Sequence, residues 1–244
     1  MPDWGAVLPR SPARLGLHRK DLTTEAVFAW AHTADYDALH RTCSRFLHPH
    51  ELAQYEKLTV PRRRSSFLLG RYVAKQALAT LLRESAPARI EIAPGVFTQP
   101  VVKFPTSEPV GVSITHAGEL ACALAFPEIH PMGIDVERLD GKSLEAMKSQ
   151  ILPDELRPEA LDRVSELVRC TVIWTAKEAL SKVLTCGMMC PFALLETVDL
   201  QPEAAGYGGH FRHFGQYKFH ARVVHDHVLS IVLPKWTTMV VDQP

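Results

Sequence analysis

This chain lacks any apolar run approaching the roughly 20 residues that a helix needs to cross a bilayer. Met1–Arg10 also lacks a basic segment leading into an apolar core. Neither a membrane span nor a secretory leader is expected, which points to the cytoplasm. An excess of one charge is absent too: Lys plus Arg and Asp plus Glu each total 27. No global field therefore draws the molecule to nucleic acid or an anionic membrane, and an electrostatic partner must meet a local patch. Cysteine is scarce. The five, at 43, 122, 170, 186 and 190, are odd in number, scattered and mostly in apolar surroundings, as reduced buried thiols are. No second pair follows Cys186 and Cys190, which argues against a zinc site.

What is present is a 244-residue chain that is 46% hydrophobic, enough for a substantial core in one large domain or two small ones. Residues 25–31 read as a strand, and 35–46, 50–58 and 62–82 as helices, the last from apolar residues at helical spacing. Strands follow at 90–93, 110–115 and 119–126, with Gly118 turning the last two into a hairpin. Residues 131–137 are a strand, 143–184 a mainly helical region broken near Pro153 and Pro158, and strands return at 193–200, 218–224 and 228–233. One internal echo stands out: Ala74-Lys75-Gln76-Ala77-Leu78 recurs as Ala176-Lys177-Glu178-Ala179-Leu180, each on the main helix of its half. Either good helix formers coincide or the chain holds a structural repeat, in which case only the second copy carries the charge at the Gln76 position.

The chemistry concentrates in Gly133-Ile134-Asp135-Val136-Glu137 and, forty-one residues beyond Glu137, Glu178. On a strand, residues two apart share a face, so Asp135 and Glu137 point together and repel unless a cation or shared proton intervenes. Gly133 allows a close backbone approach there. On the helix, Trp174, Glu178 and Lys182 project from one face, in the favourable order for a Glu178–Lys182 ion pair. Lys177 and Glu178 also sit amid Val172, Ile173, Ala179, Leu180 and Val183, where charges need partners. A strand ending in Ser113-Ile114-Thr115-His116 offers phosphate donors, and Arg62-Arg63-Arg64 with Arg71 adds guanidinium groups suited to phosphate. Each piece alone is equally compatible with a solvated face or a packed core.

The ordered set Arg-Arg-Arg-x-x-Phe-Leu-x-Gly-Arg (62–71), Ser-Ile-Thr-His (113–116), Gly-Ile-Asp-Val-Glu (133–137) and Trp-x-x-Lys-Glu-Ala-x-x-Lys (174–182) resembles the 4'-phosphopantetheinyl transferases of the surfactin-synthetase and enterobactin-synthetase activating type. The resemblance implies an α+β fold of two pseudo-symmetric halves, residues 1–117 and 118–244, with coenzyme A as co-substrate in the cleft between them. It implies Mg²⁺ on Asp135, Glu137 and Glu178, and Glu178, Lys182 and His116 as catalytic residues, with Glu178 as the base. Arg63, Arg71, Thr115, His116, Asp135, Lys177 and Lys182 would contact the co-substrate. The acceptor would be a serine of an apo acyl or peptidyl carrier protein, the product 3',5'-adenosine bisphosphate, and the enzyme a monomer. Where the family usually has a lysine-bearing turn before the histidine strand, this chain has Phe97-Thr98-Gln99-Pro100. Two other readings share these residues: another Mg²⁺-dependent transferase acting on a nucleotide diphosphate, and a non-catalytic coenzyme A or carrier-protein binding module.

Overall fold

The computed structural model describes residues 8–157 and 161–241. The expected helix break at Pro158 lies outside them. Two compact units emerge among the described residues, one from Pro9–Pro131 with 239–241, the other from Met132–Thr238 with Leu8.

In the N-terminal unit, β1 (Ala13–Arg19), β2 (Leu22–His32), β5 (Val110–Ala117), β6 (Leu120–Pro127) and β12 (Thr238–Val241) form a five-stranded sheet in the order β12-β1-β2-β6-β5. A separate hairpin pairs β3 (Glu91–Pro94) with β4 (Pro100–Lys103). Helices α1 (Tyr36–Arg41), α2 (Pro49–Glu56) and α3 (Pro61–Leu82) precede it. Pro61 starts α3 at a position where a missing N–H costs nothing, and Arg83 ends it in the left-handed region (φ 54°). The buried face of α3, including Leu68, Leu69, Val73, Ala77 and Leu78, packs with Val27, Ala29, Ala121, Ala123 and Ala125 of the sheet. Small alanines on the strands let the helix lie close.

The C-terminal unit repeats the plan. β7 (Gly133–Arg138), β8 (Thr197–Glu203), β9 (Gly206–Phe211), β10 (Tyr217–Val224) and β11 (His227–Pro234) form a sheet ordered β7-β11-β10-β9-β8. Short α4 (Leu144–Lys148), a 3-10 turn at Pro153–Leu156 and α5 (Glu166–Val183) make up the mainly helical region, with the expected interruption at Pro153. Ser165 caps α5, accepting from the Val168 N–H. Residues 192–195 are 3-10 turn rather than strand, so β8 starts only at Thr197. The division falls after Pro131, whereas the sequence places it at 117/118; β6 is hydrogen-bonded between β2 and β5 and so stays with the first unit. The five cysteines form no disulfide. Among the described residues no helix is long and apolar enough to cross a membrane.

The echo of Lys75 and Lys177 is structural. In the first unit Glu51 accepts the His48 N–H at 2.9 Å and the Ile92 N–H at 3.0 Å, while Lys75 Nζ sits 2.7 Å from its Oε2 and donates to Ile90 O. In the second, Glu155 accepts the Leu152 N–H at 2.8 Å and the Thr197 N–H at 2.7 Å, while Lys177 Nζ lies 2.6 Å from Oε2 and donates to Phe192 O at 3.2 Å. Both lysines are fully buried. Each glutamate thus caps a helical turn, holds the first residues of a hairpin and neutralises a lysine of the main helix. Breaking one partner leaves an unpaired buried charge, which costs roughly 3–5 kcal/mol, whereas removing both restores part of the loss. Lys177→Met should therefore lower unfolding free energy by about that amount in urea titrations, and Glu155→Leu/Lys177→Met should lose less than the sum of the single changes.

Candidate active site

The site is built where α5 crosses β7. A Cβ on Gly133 would lie 2.1 Å from the Ala179 carbonyl oxygen and 2.9 Å from Val183 Cγ2, so only glycine permits this approach of strand and helix. β7 pairs antiparallel with β11, placing Asp135 opposite Ser230 and Glu137 opposite Val228. Asp135 is buried, while Glu137 and Glu178 are partly so. Lys182, one turn beyond Glu178, donates to Asp135 Oδ1 at 2.7 Å and to Ile134 O at 3.0 Å. The lysine therefore pairs with the strand, where sequence spacing expects a helix pair with Glu178.

Charge crowding shows in the proton affinities. Glu178 is pushed up to about 7, first by burial, then by the Asp135 charge; Lys182 opposes this and Glu137 adds to it. Burial and then Asp135 also raise Glu137, with Trp174 and Lys182 pulling the other way. Three carboxylates thus feel one another across β7 and α5. Their all-oxygen donor set fits a hard dication such as Mg²⁺, which takes few carboxylates and completes its shell with water and phosphate oxygens. The trio is not drawn into a closed cage. Among the described residues, three ligand atoms lie within 4.8 Å of one another only at His48, His50 and Glu91.

The other expected residues fall into distinct settings. In the N-terminal unit, the β5–β6 hairpin turns at Gly118 (φ 55°) and Glu119, with Thr115 buried and His116 exposed on the strand before it. Arg63 is exposed on the first turn of α3. Arg71 is 17% exposed, with Nε 3.4 Å from Glu51 Oε1, Nη2 3.5 Å from Ile92 O and its guanidinium over the Phe67 ring. It belongs to the buried Glu51 network as much as to any surface.

Lys177 is a correction. The resemblance makes it a co-substrate contact, yet it has no exposure, and its ammonium binds Glu155, Gln150 O at 3.1 Å and Phe192 O. These partners occupy its three donors, so it serves the fold. Gln99, in the turn where the resemblance leads one to expect a lysine, accepts the Phe97 N–H at 2.9 Å and closes its own turn. Glu155 was missed by sequence reasoning. Its signal was present: Leu152-Pro153-Asp154-Glu155-Leu156 parallels His48-Pro49-His50-Glu51-Leu52.

Two family models match the chain. One describes the 4'-phosphopantetheinyl transferase superfamily and covers residues 131–232; the other describes the 4'-phosphopantetheinyl transferase N-terminal domain and covers residues 50–126. The chain belongs to this superfamily and is a phosphopantetheinyl transferase enzyme. No curated protein matches it. Solved structures similar to it include a holo-(acyl-carrier-protein) synthase from Bacillus anthracis in complex with CoA (3',5'-ADP), at 20% identity and TM-score 0.38, covering 48% of this chain and 96% of that one. The Helicobacter pylori holo-[acyl-carrier-protein] synthase in complex with coenzyme A is 18% identical, with TM-score 0.36 and coverage of 42% and 98%. The Plasmodium yoelii holo-ACP-synthase is 16% identical, with TM-score 0.36 and coverage of 48% and 94%.

Two outcomes check this geometry. Because burial favours the protonated form of Glu178, its ionisation destabilises the fold: the penalty is absent below about pH 4.5, grows as pH rises and is complete above about pH 7. In metal-free buffer the melting-temperature difference between Glu178→Gln and the parent should widen in favour of the variant across that window; a pH-independent difference would contradict the assignment. Gly133→Ala should cost about 1–3 kcal/mol in chemical denaturation through overpacking. Gly70→Ala, whose Cβ would lie 3.3 Å from Ile114 Cγ2, should cost less.

Proposed function

We propose that the enzyme transfers the 4'-phosphopantetheine group of coenzyme A to a serine hydroxyl of an apo acyl or peptidyl carrier protein, in the manner of the surfactin-synthetase activating type. The observation that carries this reading is the trio of Asp135, Glu137 and Glu178, whose charges act on one another, with Lys182 paired to Asp135. Asp135, Glu137 and Glu178 would hold Mg²⁺, which when bound neutralises charge on the coenzyme A pyrophosphate.

The residues of the chain then divide the work. Glu178 accepts the proton of the carrier serine, directly or through water, as a carboxylate set beside the reacting phosphates. The serine Oγ forms a bond to the β-phosphorus as the bond from that phosphorus to the bridging oxygen breaks, and 3',5'-adenosine bisphosphate leaves with the electron pair. Lys182 holds Asp135 in place and supplies positive charge beside the reacting phosphates. Alignment and charge neutralisation suffice for such a displacement, so no protein nucleophile is needed. The working form is a cytoplasmic monomer.

Incubation with coenzyme A, Mg²⁺ and an apo carrier domain, followed by mass spectrometry of the carrier, tests this. The carrier should gain the phosphopantetheine mass on its serine. Glu178→Gln should retain coenzyme A binding yet slow transfer by about 10²-fold or more, and Asp135→Ala should raise the Mg²⁺ requirement or abolish turnover. No mass gain with several carriers, or parental rates in Glu178→Gln, would refute the assignment.

A further inference from the structure

Two histidines and a glutamate outside the carboxylate cluster close on one another in the N-terminal unit. His48 caps α2, His50 lies two residues later in its first turn, and Glu91 opens β3. One ligand atom from each lies within 4.8 Å of the other two, and His50 Nδ1 is 3.1 Å from Glu91 Oε1. The two imidazoles stand edge-on with centroids 5.0 Å apart.

The backbone that carries these groups is already fixed. Glu51 accepts the N–H of His48 and the N–H of Ile92, the residue after Glu91, while paired with buried Lys75. Ligands on α2 and β3 are thus pinned by one carboxylate, so a metal would order little chain. His48 Nδ1 takes only a long 3.4 Å bond from the His50 N–H, a contact a metal bond displaces at small cost.

The second copy of the frame isolates the signal. There Leu152 and Asp154 stand for His48 and His50, and Glu196 precedes Thr197 as Glu91 precedes Ile92. Asp154 pairs with Arg157 and Glu196 with Arg212. The frame needs no histidine, yet the first copy has two facing an acid. Two imidazoles and a carboxylate suit a borderline dication at about 2.0–2.2 Å, whereas Mg²⁺ prefers oxygen donors alone.

We propose that His48, His50 and Glu91 form a Zn²⁺-type site, three protein ligands with solvent completing the shell, that clamps the start of α2 to β3. Its donors, two imidazoles and one carboxylate, differ from the all-oxygen set of Asp135, Glu137 and Glu178.

The test is calorimetric titration of the untagged, chelator-treated full chain with Zn²⁺ in excess Mg²⁺, with Co²⁺ absorption as a probe of geometry. One equivalent should bind with Kd below about 1 µM and give the intense visible bands of four-coordinate Co²⁺. His50→Ala and Glu91→Gln should each weaken binding at least about tenfold, the scale seen even for outer-shell changes, with circular dichroism unchanged, and Asp135→Ala should not. Weaker or substoichiometric uptake, uptake indifferent to His50→Ala, or uptake lost with Asp135→Ala would overturn the site and leave His50–Glu91 as an ion pair.

Discussion

The buried Lys177–Glu155 ion pair sets the rotation of α5, and the chemistry of the C-terminal unit depends on that rotation. Consecutive helical residues point about 100° apart. With Lys177 drawn into the core by a carboxylate and two carbonyl oxygens, Glu178 turns toward β7, where Asp135 and Glu137 share a face. A lysine cannot be buried without such partners, so little freedom remains to swing the helix another way. Gly133 then fixes how close strand and helix come, since any side chain there would strike the Ala179 carbonyl. Rotation and distance together bury Glu178 among like charges, so that burial first and the Asp135 charge second raise it, and a cation has repulsion to relieve.

The same device in the other unit shows what divergence has done. Glu51 and Lys75 reproduce the shared frame of two backbone N–H groups and a lysine on one carboxylate, but Gln76 stands where the second copy has Glu178. The N-terminal sheet order β2-β6-β5 likewise mirrors β7-β11-β10. One architecture therefore supports two kinds of local chemistry. An acidic face belongs to the second copy, and a histidine pair at the capped turn belongs to the first.

Much of this was legible where periodicity is strong and side-chain role is local. α3, β2, β5, β6, β10 and β11 follow their apolar patterns, and the turn at Gly118 is stated by glycine itself. β1 was readable from Ala13, Leu15 and Leu17 alternating inward, although no strand was read there. β9 was not: Gly206-Tyr-Gly-Gly-His-Phe has little strand character, and Gly209 is required because the Phe219 ring and the Val198 carbonyl oxygen crowd it. β4 and β12 are too short to show an alternation. The unit boundary moved because pairing of β6 with β2 is a long-range bond that local sequence does not express.

For the site, the chain by itself determined which residue types stand together: two acids two apart on a strand, a glutamate and lysine one turn apart on a helix, and glycine where the two must touch. Side-chain period and residue chemistry are properties of short segments, so they survive without a fold. Only tertiary structure decided which charge serves which purpose. Lys177 and Arg71 look as available as Lys182 in sequence, yet the first two are held by glutamates 22 and 20 residues away, while Lys182 reaches 47 residues back to Asp135. Pairing of buried charges is settled by which segments pack together, and no local pattern encodes that.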